Sequence, residues 1–326
     1  MRSSRALGIL AGTAAVALAT LTIASPASAA TLPAGQRITI VDSIDEVGPQ
    51  EGPFYDVDPA DAATTAVGTG SGVYAYGLDV NDDGLGYLLG YEDGYRIWTA
   101  DANTGTASDP KPLHFATDPD PYDCGDLDLN PATGELLVNC TWFTSETANV
   151  STISTVDPAT GLLTPIISLS GVNYIAFDAI ALNSVTGVLW AFADVEGYGS
   201  YIIDRTLQTA TFVSPMEDYT PAADFDRDGQ LFLSTEQFDE EEGWEPSLAV
   251  ADPSVGIFTF NENFADPAGE LTFDAVYSLS VWGAPAPVLA ETGLDSTGVV
   301  PVALGSALLL LAGAAAILLA RRRRRA

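Results

Sequence analysis

The sequence is poor in basic residues, histidine and cysteine. Of its 326 residues, 12 are Lys or Arg, one is His and two are Cys, against 44 Asp and Glu. Within residues 31–292, 43 acidic residues stand against five basic ones, which gives a net charge of −38. A field of that sign repels nucleic acid and anionic lipid and attracts cations. We therefore expect no nucleic-acid partner.

Familiar catalytic signatures are missing as well. The sequence contains no GxSxG, no HExxH and no phosphate-binding loop. The single histidine, His114, stands at the end of a predicted strand, where a surface position is favoured over a general base. These gaps favour a protein that is not an enzyme.

The first 30 residues have the pattern of a secretory signal peptide. Arg2 and Arg5 precede an apolar run over residues 6–23, and small residues at 27–29 offer a cleavage site. We expect the mature chain to begin near residue 31. A membrane helix at this place is the alternative, and its flanks disfavour it.

A second apolar run lies near the other end, over residues 299–320, and contains no charge. As a helix with a rise of 1.5 Å per residue it would span roughly 33 Å, enough for a hydrocarbon core of about 30 Å. The arginines in the tail at 321–326 would hold that end in the cytoplasm. The pattern predicts one C-terminal transmembrane helix and an exported head.

A short motif stands in the spacer of residues 284–298, before the apolar run. It consists of Leu289, Ala290, Glu291, Thr292 and Gly293. The order of pentapeptide, apolar span and basic tail resembles the sorting signal of Gram-positive surface proteins, in the Ala-containing variant associated with class E sortases of actinobacteria. This resemblance covers residues 289–326. It implies that a membrane sortase cleaves after Thr292 and links its carbonyl covalently to peptidoglycan, which makes the cell wall the expected location. A plain single-pass membrane protein is the alternative.

Cys124 and Cys140 are expected to form a disulfide, because an exported chain meets an oxidising environment. The residues between them, CGDLDLNPATGELLVNC, contain a turn at 130–134 between strand-like runs, and residue 132 is the midpoint. A hairpin therefore places the two cysteines opposite each other. In the chain-entropy model, closing a loop of about 15 residues stabilises the fold by roughly 3 kcal/mol.

One hairpin pattern repeats along residues 31–283. A strand ends at an Asn or Asp, a Gly-containing turn follows, and a second apolar strand comes after it. The anchor residues are Asn81, Asn130, Asn183 and Asp226, at spacings of 49, 53 and 43. A second hairpin with alternating apolar residues follows each one. Four strands in each repeat of this length resemble the blades of a β-propeller.

The two ends of this segment complement each other. RITIVDS and GPFYDVDPADAATTAVG supply three strands of a blade, and LTFDAVYSLSVWG supplies the missing first strand. Pairing them would close the ring without open edges. The sequence therefore predicts an all-β ectodomain, a five-bladed β-propeller closed by its N- and C-terminal strands; six blades or a β-sandwich are the alternatives. No WD or kelch signature is present, so the resemblance concerns architecture only.

Two of the first turns match the first half of a calcium loop, over residues 79–84 and 224–229. Side-chain oxygens alternate at positions 1, 3 and 5, and Gly follows at position 6. The required Glu at position 12 is replaced by Gly90 and Thr235. Since Asp and Gly are also ordinary hairpin residues, a metal-free turn is the alternative. The better calcium candidate consists of Asp224, Asp226 and Asp228.

One face of the predicted propeller is rich in aromatic and acidic residues. Tyrosines precede each anchor, and the loops between the second and third strands add more. Such a face suits sugar rings or a cationic partner, while packing between blades is the alternative role for the tyrosines. The candidate ligand residues are Tyr74, Tyr95, Tyr122, Tyr174, Tyr198, Tyr219 and Trp244.

The favoured interpretation is a wall-anchored propeller that binds a carbohydrate or a cationic partner without catalysis. A glycoside hydrolase with paired carboxylates is one alternative, and Asp126, Asp178 and Asp274 near the starts of inner strands are its candidates. A structural or calcium-binding wall protein is the other alternative.

Overall fold

The computed structural model describes residues 32–33, 35–42, 52–68, 70–117, 120–145, 148–170, 174–194, 198–239, 243–265 and 276–283. The predicted signal peptide, the sorting motif at 289–293, the apolar span at 299–320 and the arginine tail lie outside these residues. Within the described part, no helix is long and apolar enough to cross a membrane. Every regular element there is a β-strand.

The described residues form 21 strands in five sheets, each of which is one blade. Blade I takes β1 (Gln36–Val41), β2 (Phe54–Val57) and β3 (Thr64–Val67). Blade II takes β4 (Tyr74–Val80), β5 (Leu85–Tyr91), β6 (Tyr95–Asp101) and β7 (Thr106–Pro112). Blade III takes β8 (His114–Phe115), β9 (Asp123–Leu129), β10 (Leu136–Ser145), β11 (Ala148–Asp157) and β12 (Leu162–Ser170). Blade IV takes β13 (Ala179–Asn183), β14 (Val188–Asp194), β15 (Tyr198–Asp204) and β16 (Thr209–Pro215). Blade V takes β17 (Tyr219–Phe225), β18 (Leu231–Asp239), β19 (Gly243–Asp252) and β20 (Ile257–Asn263), and β21 (Leu279–Gly283) returns to blade I.

The ring is closed by the pairing of the two ends of the head. β21 runs antiparallel to β1, with Gln36 opposite Gly283 and Ile40 opposite Leu279. The indole Nε1 of Trp282 donates a hydrogen bond of 2.8 Å to Thr39 Oγ1. The five-bladed propeller and its closure by terminal strands are confirmed, and residues 36–283 contain the complete ring.

The repeated anchor residues organise the first turn of blades II to V. Their side-chain oxygens accept backbone N–H groups from the turn, as Asn81 Oδ1 does from Asp83 and Leu85. The glycine of this turn, Gly84, has a φ of 78°, and a Cβ there would come within 2.7 Å of the Trp282 ring. The repeat in the sequence is therefore a repeat of turn chemistry.

Apolar side chains fill the five spaces between neighbouring blades. Phe54 of blade I packs with Leu78 and Trp98 of blade II. Phe192 of blade IV packs with Leu233 of blade V. The strands are therefore apolar on both faces, and each blade stabilises its two neighbours.

The inner strands β4, β9, β13, β17 and β21 contact one another around the axis of the ring. Each runs from one end of the ring, here called the mouth face, to the opposite end, here called the turn face because the first turns lie there. β21 ends at Gly283 on the turn face, where Arg227 Nη2 donates a hydrogen bond of 2.5 Å to the Gly283 carbonyl. The last described strand therefore ends on the turn face.

Candidate functional site

Five equivalent positions on the inner strands determine how the blades are tied together around the axis. They are occupied by Asp79, Asp128, Ala181, Asp224 and Ser280. Three of them accept a backbone N–H from the inner strand of the next blade through a carboxylate oxygen. The donors are Leu129 at 2.5 Å, Leu182 at 2.5 Å and Val281 at 2.6 Å. Ser280 Oγ accepts the N–H of Val80 at 3.2 Å.

The junction between blades IV and V is the exception, because Ala181 has no side-chain oxygen. The N–H that it would accept belongs to Phe225, which donates instead to Asp224 Oδ1 at 2.7 Å. The amide group of Asn183 adds a longer contact of 3.5 Å to the Gly229 carbonyl. Each of these inner-strand N–H groups therefore has an acceptor.

Asp79, Asp128 and Asp224 converge on the axis, with one carboxylate oxygen of each within 4.8 Å of the others. All three side chains are buried. Burial raises the pKa of Asp128 to about 7. Burial, followed by the negative charge of neighbouring Asp residues, raises the pKa of Asp79 and Asp224 well above the ordinary value. Such a group either holds protons at neutral pH or could hold a hard cation through its oxygens.

The three calcium candidates of the sequence, Asp224, Asp226 and Asp228, have different roles in the structure. Asp226 Oδ1 accepts the N–H groups of Asp228 and Gln230 at 2.9 and 2.7 Å, as a turn cap does. Asp224 faces Asp79 and Asp128, and among the described residues that trio is the one carboxylate group positioned for a shared ion. The structure therefore does not gather Asp224, Asp226 and Asp228 around one point. Calcium binding itself stays a prediction.

At the mouth face the axis opens into a cavity of about 280 Å³, which we call the mouth cup. Its lining includes Tyr74, Tyr76, Tyr219, Tyr277, Asp123 and Asp178. The first residues of the inner strands, and those just before them, supply these side chains. This is why segments far apart in the chain meet there.

The tyrosine rings of the cup support one another. Tyr76 stacks on Tyr277 with 6.2 Å between ring centroids and 11° between planes. Tyr74 lies 4.9 Å from Tyr76, and Tyr219 lies 5.9 Å from Tyr198. Because each ring packs against another, the aromatic surface is held in place before any ligand arrives.

The cup is electrostatically negative. Tyr95 Oη donates to Asp123 Oδ1 at 2.8 Å, and Tyr219 Oη donates to Asp178 Oδ1 at 3.5 Å. Burial and then the nearby carboxylates raise the pKa of both tyrosines, so both keep their protons. The lining residues include no Lys and no Arg. The cup therefore offers acceptor oxygens and aromatic faces to a ligand.

The disulfide Cys124–Cys140 belongs to the same lining. Cys124 lies on β9 and Cys140 on β10, directly opposite in the strand register. The predicted disulfide is confirmed. It joins the inner strand of blade III to its neighbour directly beneath the cup.

The structure divides the predicted ligand residues into three groups. Tyr74 and Tyr219 line the cup, while Tyr95 and Tyr198 support it from behind through the contacts given above. Tyr122 is 66% exposed and Tyr174 is half-buried, and neither belongs to the lining. Trp244 lies on β19, and its side chain is outside the described part of the structure.

Sequence reasoning missed three members of the cup, which are Tyr76, Tyr277 and Asp123. A signal for Tyr76 was present, because it alternates with Tyr74 and shares its side of the strand. Tyr277 precedes the last inner strand, whose end has no Asn or Asp anchor. That strand therefore does not match the repeat, in which a tyrosine precedes each anchor.

Of the three carboxylates suggested for glycoside hydrolysis, Asp126 and Asp178 belong to the described residues, and of these two only Asp178 lines the cup. Asp126 is fully buried, and its oxygens accept the N–H groups of Leu127 and Ile180 at 2.8 and 3.2 Å. Asp178 does line the cup, and Asp274 lies outside the described residues. Asp126 is therefore a tie between blades III and IV.

Comparisons with known proteins show no family for this chain. Neither the family models nor the curated proteins give a match. Among solved structures, the chain is similar to a provisionally assigned 6-phosphogluconolactonase from Bacteroides fragilis, at 11% identity and a TM-score of 0.39 over 76% of this chain and 98% of the other. A gluconolactonase from Xanthomonas campestris matches at 14% identity and 0.41, over 66% and 69%. The Dos1 propeller matches at 11% and 0.34, over 65% of each. At these values no activity transfers to this chain.

The buried carboxyl groups predict that the head loses stability as the pH rises. The folded pKa of Asp128, about 7, lies above its unfolded value of 3.8, and Asp79, Asp126 and Asp224 shift in the same direction. The folded state therefore binds more protons, and the unfolding free energy falls between about pH 4 and pH 7. Urea midpoints measured from pH 4 to pH 8 should decrease across this window.

Asp128→Asn removes the titrating carboxyl group but keeps the hydrogen bond, because the amide oxygen can still accept the Leu182 N–H. We expect the unfolding free energy to depend less on pH than in the wild type. At pH 7 it should be higher, on the order of a few kcal/mol. Asp83→Asn, at an exposed position, is the control and should keep the wild-type slope. A midpoint that rises with pH in the wild type would contradict the assignment.

Proposed function

We propose that this chain is an exported binding protein, anchored to the cell wall, whose mouth cup takes a small carbohydrate or cationic ligand without chemical change. The observation that carries the proposal is the cup itself, where tyrosine rings and carboxylates line a concave site on the axis. Its volume of about 280 Å³ lies near the lower end of the roughly 300–1,000 Å³ of small-molecule sites. A small ligand, or the end of a longer one, therefore fits better than the middle of a polymer.

The chemistry of the lining suits such a ligand. Tyr76 and Tyr277 offer aromatic faces on which an apolar ring face or a cation can lie. Asp123 and Asp178 offer oxygens to hydroxyl or ammonium donors, and both are already held by tyrosine hydroxyls. Because these groups are held by one another, binding requires little further ordering.

Binding without hydrolysis is favoured by the placement of Asp126. Glycoside hydrolysis needs two carboxyl groups about 5–10 Å apart on either side of the scissile bond. Asp126 cannot serve as one of them, because it is fully buried and tied to the backbone. We therefore assign Asp178 to ligand contact.

The proposed anchor determines which way the cup points. The head ends at Gly283 on the turn face, and the proposed sorting motif begins at Leu289. Six residues reach only about 20 Å when fully extended. A sortase linkage at Thr292 would therefore hold the turn face toward the attachment point and leave the mouth cup facing away from it.

Wall anchoring is tested by Thr292→Ala in a host that has the cognate sortase. Cleavage at the motif should stop, so the protein should move from the fraction released by peptidoglycan digestion to the membrane fraction. Asp295→Asn, just beyond the motif, should leave the wall fraction unchanged. Equal release of Thr292→Ala and wild-type protein by wall digestion would contradict sortase anchoring.

Ligand binding is tested with the head, residues 31–283, which contains the complete ring. We expect calorimetric titration with a panel of neutral, acidic and amino oligosaccharides to show binding for at least one member. Tyr219→Ala and Asp178→Ala should each weaken that binding about ten-fold or more, since both side chains line the cup. Tyr122→Ala, an exposed tyrosine outside the lining, should bind as the wild type does. A panel without any binding, or equal losses in all three variants, would refute the assignment of the cup.

A further inference from the structure

We infer that the ligand of the mouth cup is an amino sugar with a free, protonated amino group, and that Glu236 receives this group. The inference rests on the proposed function, because it names the ligand class for the same cup. It depends on three features of the described residues. These are an acceptor oxygen left without a partner, a set of basic residues engaged elsewhere, and the aromatic lining.

Glu236 lies on β18 beside the cup and is not itself one of the residues that line it. It is the register partner of Tyr219 on β17, and directly opposed residues project to the same side of a sheet. Its carboxylate accepts the N–H of Val276, the residue before Tyr277. The side chain therefore lies beside Tyr219, which lines the cup.

One oxygen of Glu236 has no hydrogen bond. The residue is only 5% exposed, and its Oε1 is without a partner among the described residues. A buried acceptor is rarely left unpaired in a folded protein, because water has been removed and nothing replaces it. A donor group on a ligand that reaches past Tyr219 would supply the missing partner.

The basic residues of the head do not supply the missing donor, because each forms an ion pair elsewhere. The head has five basic residues, and each forms an ion pair with an acid away from the cup lining. The pairs are Arg37 with Asp56, Arg96 with Glu92, Lys111 with Asp109, Arg205 with Glu135, and Arg227 with Asp82. The positive charge that Glu236, Asp178 and Asp123 would attract must therefore come from the ligand.

An amino sugar supplies both a cationic group and a ring with an apolar face. Its ammonium group donates to Glu236, and its ring offers an apolar face to the tyrosines. A primary amine on a peptide would supply the charge without the ring. We therefore commit to the sugar and use an amine-bearing peptide as a separate arm of the test.

Binding of an ammonium group is expected to release a proton. Burial raises the pKa of Glu236 to about 7, so the carboxyl group is largely protonated near pH 5.5. An adjacent ammonium favours the ionised form, and the proton leaves to solvent. Among the described residues, Tyr219 from β17 interacts directly with Glu236, and Asp178, Tyr277 and Asp123 in turn act on Tyr219. β19 places uncharged Pro246 opposite it.

The experiment compares a glucosamine oligosaccharide with its N-acetylated counterpart by calorimetric titration of residues 31–283. At pH 7.5 we expect the free amine to bind at least ten-fold more tightly. Its affinity should fall about ten-fold at pH 5.5, while the affinity of the acetylated sugar should change little. Glu236→Gln should lose the preference and its pH dependence but keep the weaker binding of the acetylated sugar. Glu262→Gln, at an exposed position in the same blade, should behave as the wild type does.

Other outcomes of these titrations would overturn the inference. Equal binding of both sugars, or an unchanged preference in Glu236→Gln, would overturn the inference and leave the proposed function standing. Absence of binding by either sugar would overturn the inference, and a different ligand from the wider panel could still support the proposed function. Binding of a lysine-containing peptide in place of the amino sugar would overturn the sugar assignment. If Glu236→Gln does not fold, Asp178→Asn with the same two sugars should show a reduced preference, and an unchanged preference there would count against the inference.

Discussion

The ring depends on one kind of hydrogen bond. Side-chain oxygens on the inner strand of one blade accept backbone N–H groups from the inner strand of the next blade. An inner strand pairs with only one neighbour in its own sheet, so its other edge would leave backbone donors buried without partners. Asp79, Asp128, Asp224 and Ser280 satisfy these donors across four junctions. Carboxylates do this at the cost of desolvation, and the raised pKa values of the three aspartates follow directly from it.

The same constraint separates the two ends of the axis. Toward the turn face, side chains are engaged in ties between blades, in turn caps and in holding Gly283. Toward the mouth face the inner strands begin, and tyrosines and carboxylates there face an open cavity. The contacts that stabilise the ring and the proposed binding site therefore lie at opposite ends of the axis. The proposed anchor follows the structural end, which leaves the cup accessible.

Much of the fold was predictable because it is encoded locally. The anchors Asn81, Asn130, Asn183 and Asp226 report turn chemistry, and the symmetric placement of Cys124 and Cys140 reports a hairpin. The convergence of Asp79, Asp128 and Asp224 was not predicted, because it depends on residues at equal height in different blades. Tyr219 and Glu236 face each other only after the irregularity between Tyr219 and Ala222 in the register of β17, which the sequence pattern does not reveal. Turn caps and calcium loops use the same residue types, so the sequence pattern alone does not distinguish these two roles of Asp226.

The most direct test of the binding site is a crystal structure of residues 31–283 with a glucosamine oligosaccharide at pH 7.5. We expect the sugar in the mouth cup, with its ring against the tyrosines and its ammonium nitrogen about 3 Å from Glu236 Oε1. A sugar bound at the turn face or along the outer strands would contradict the assignment of the cup. A sugar in the cup whose amino group points to solvent would contradict the role of Glu236.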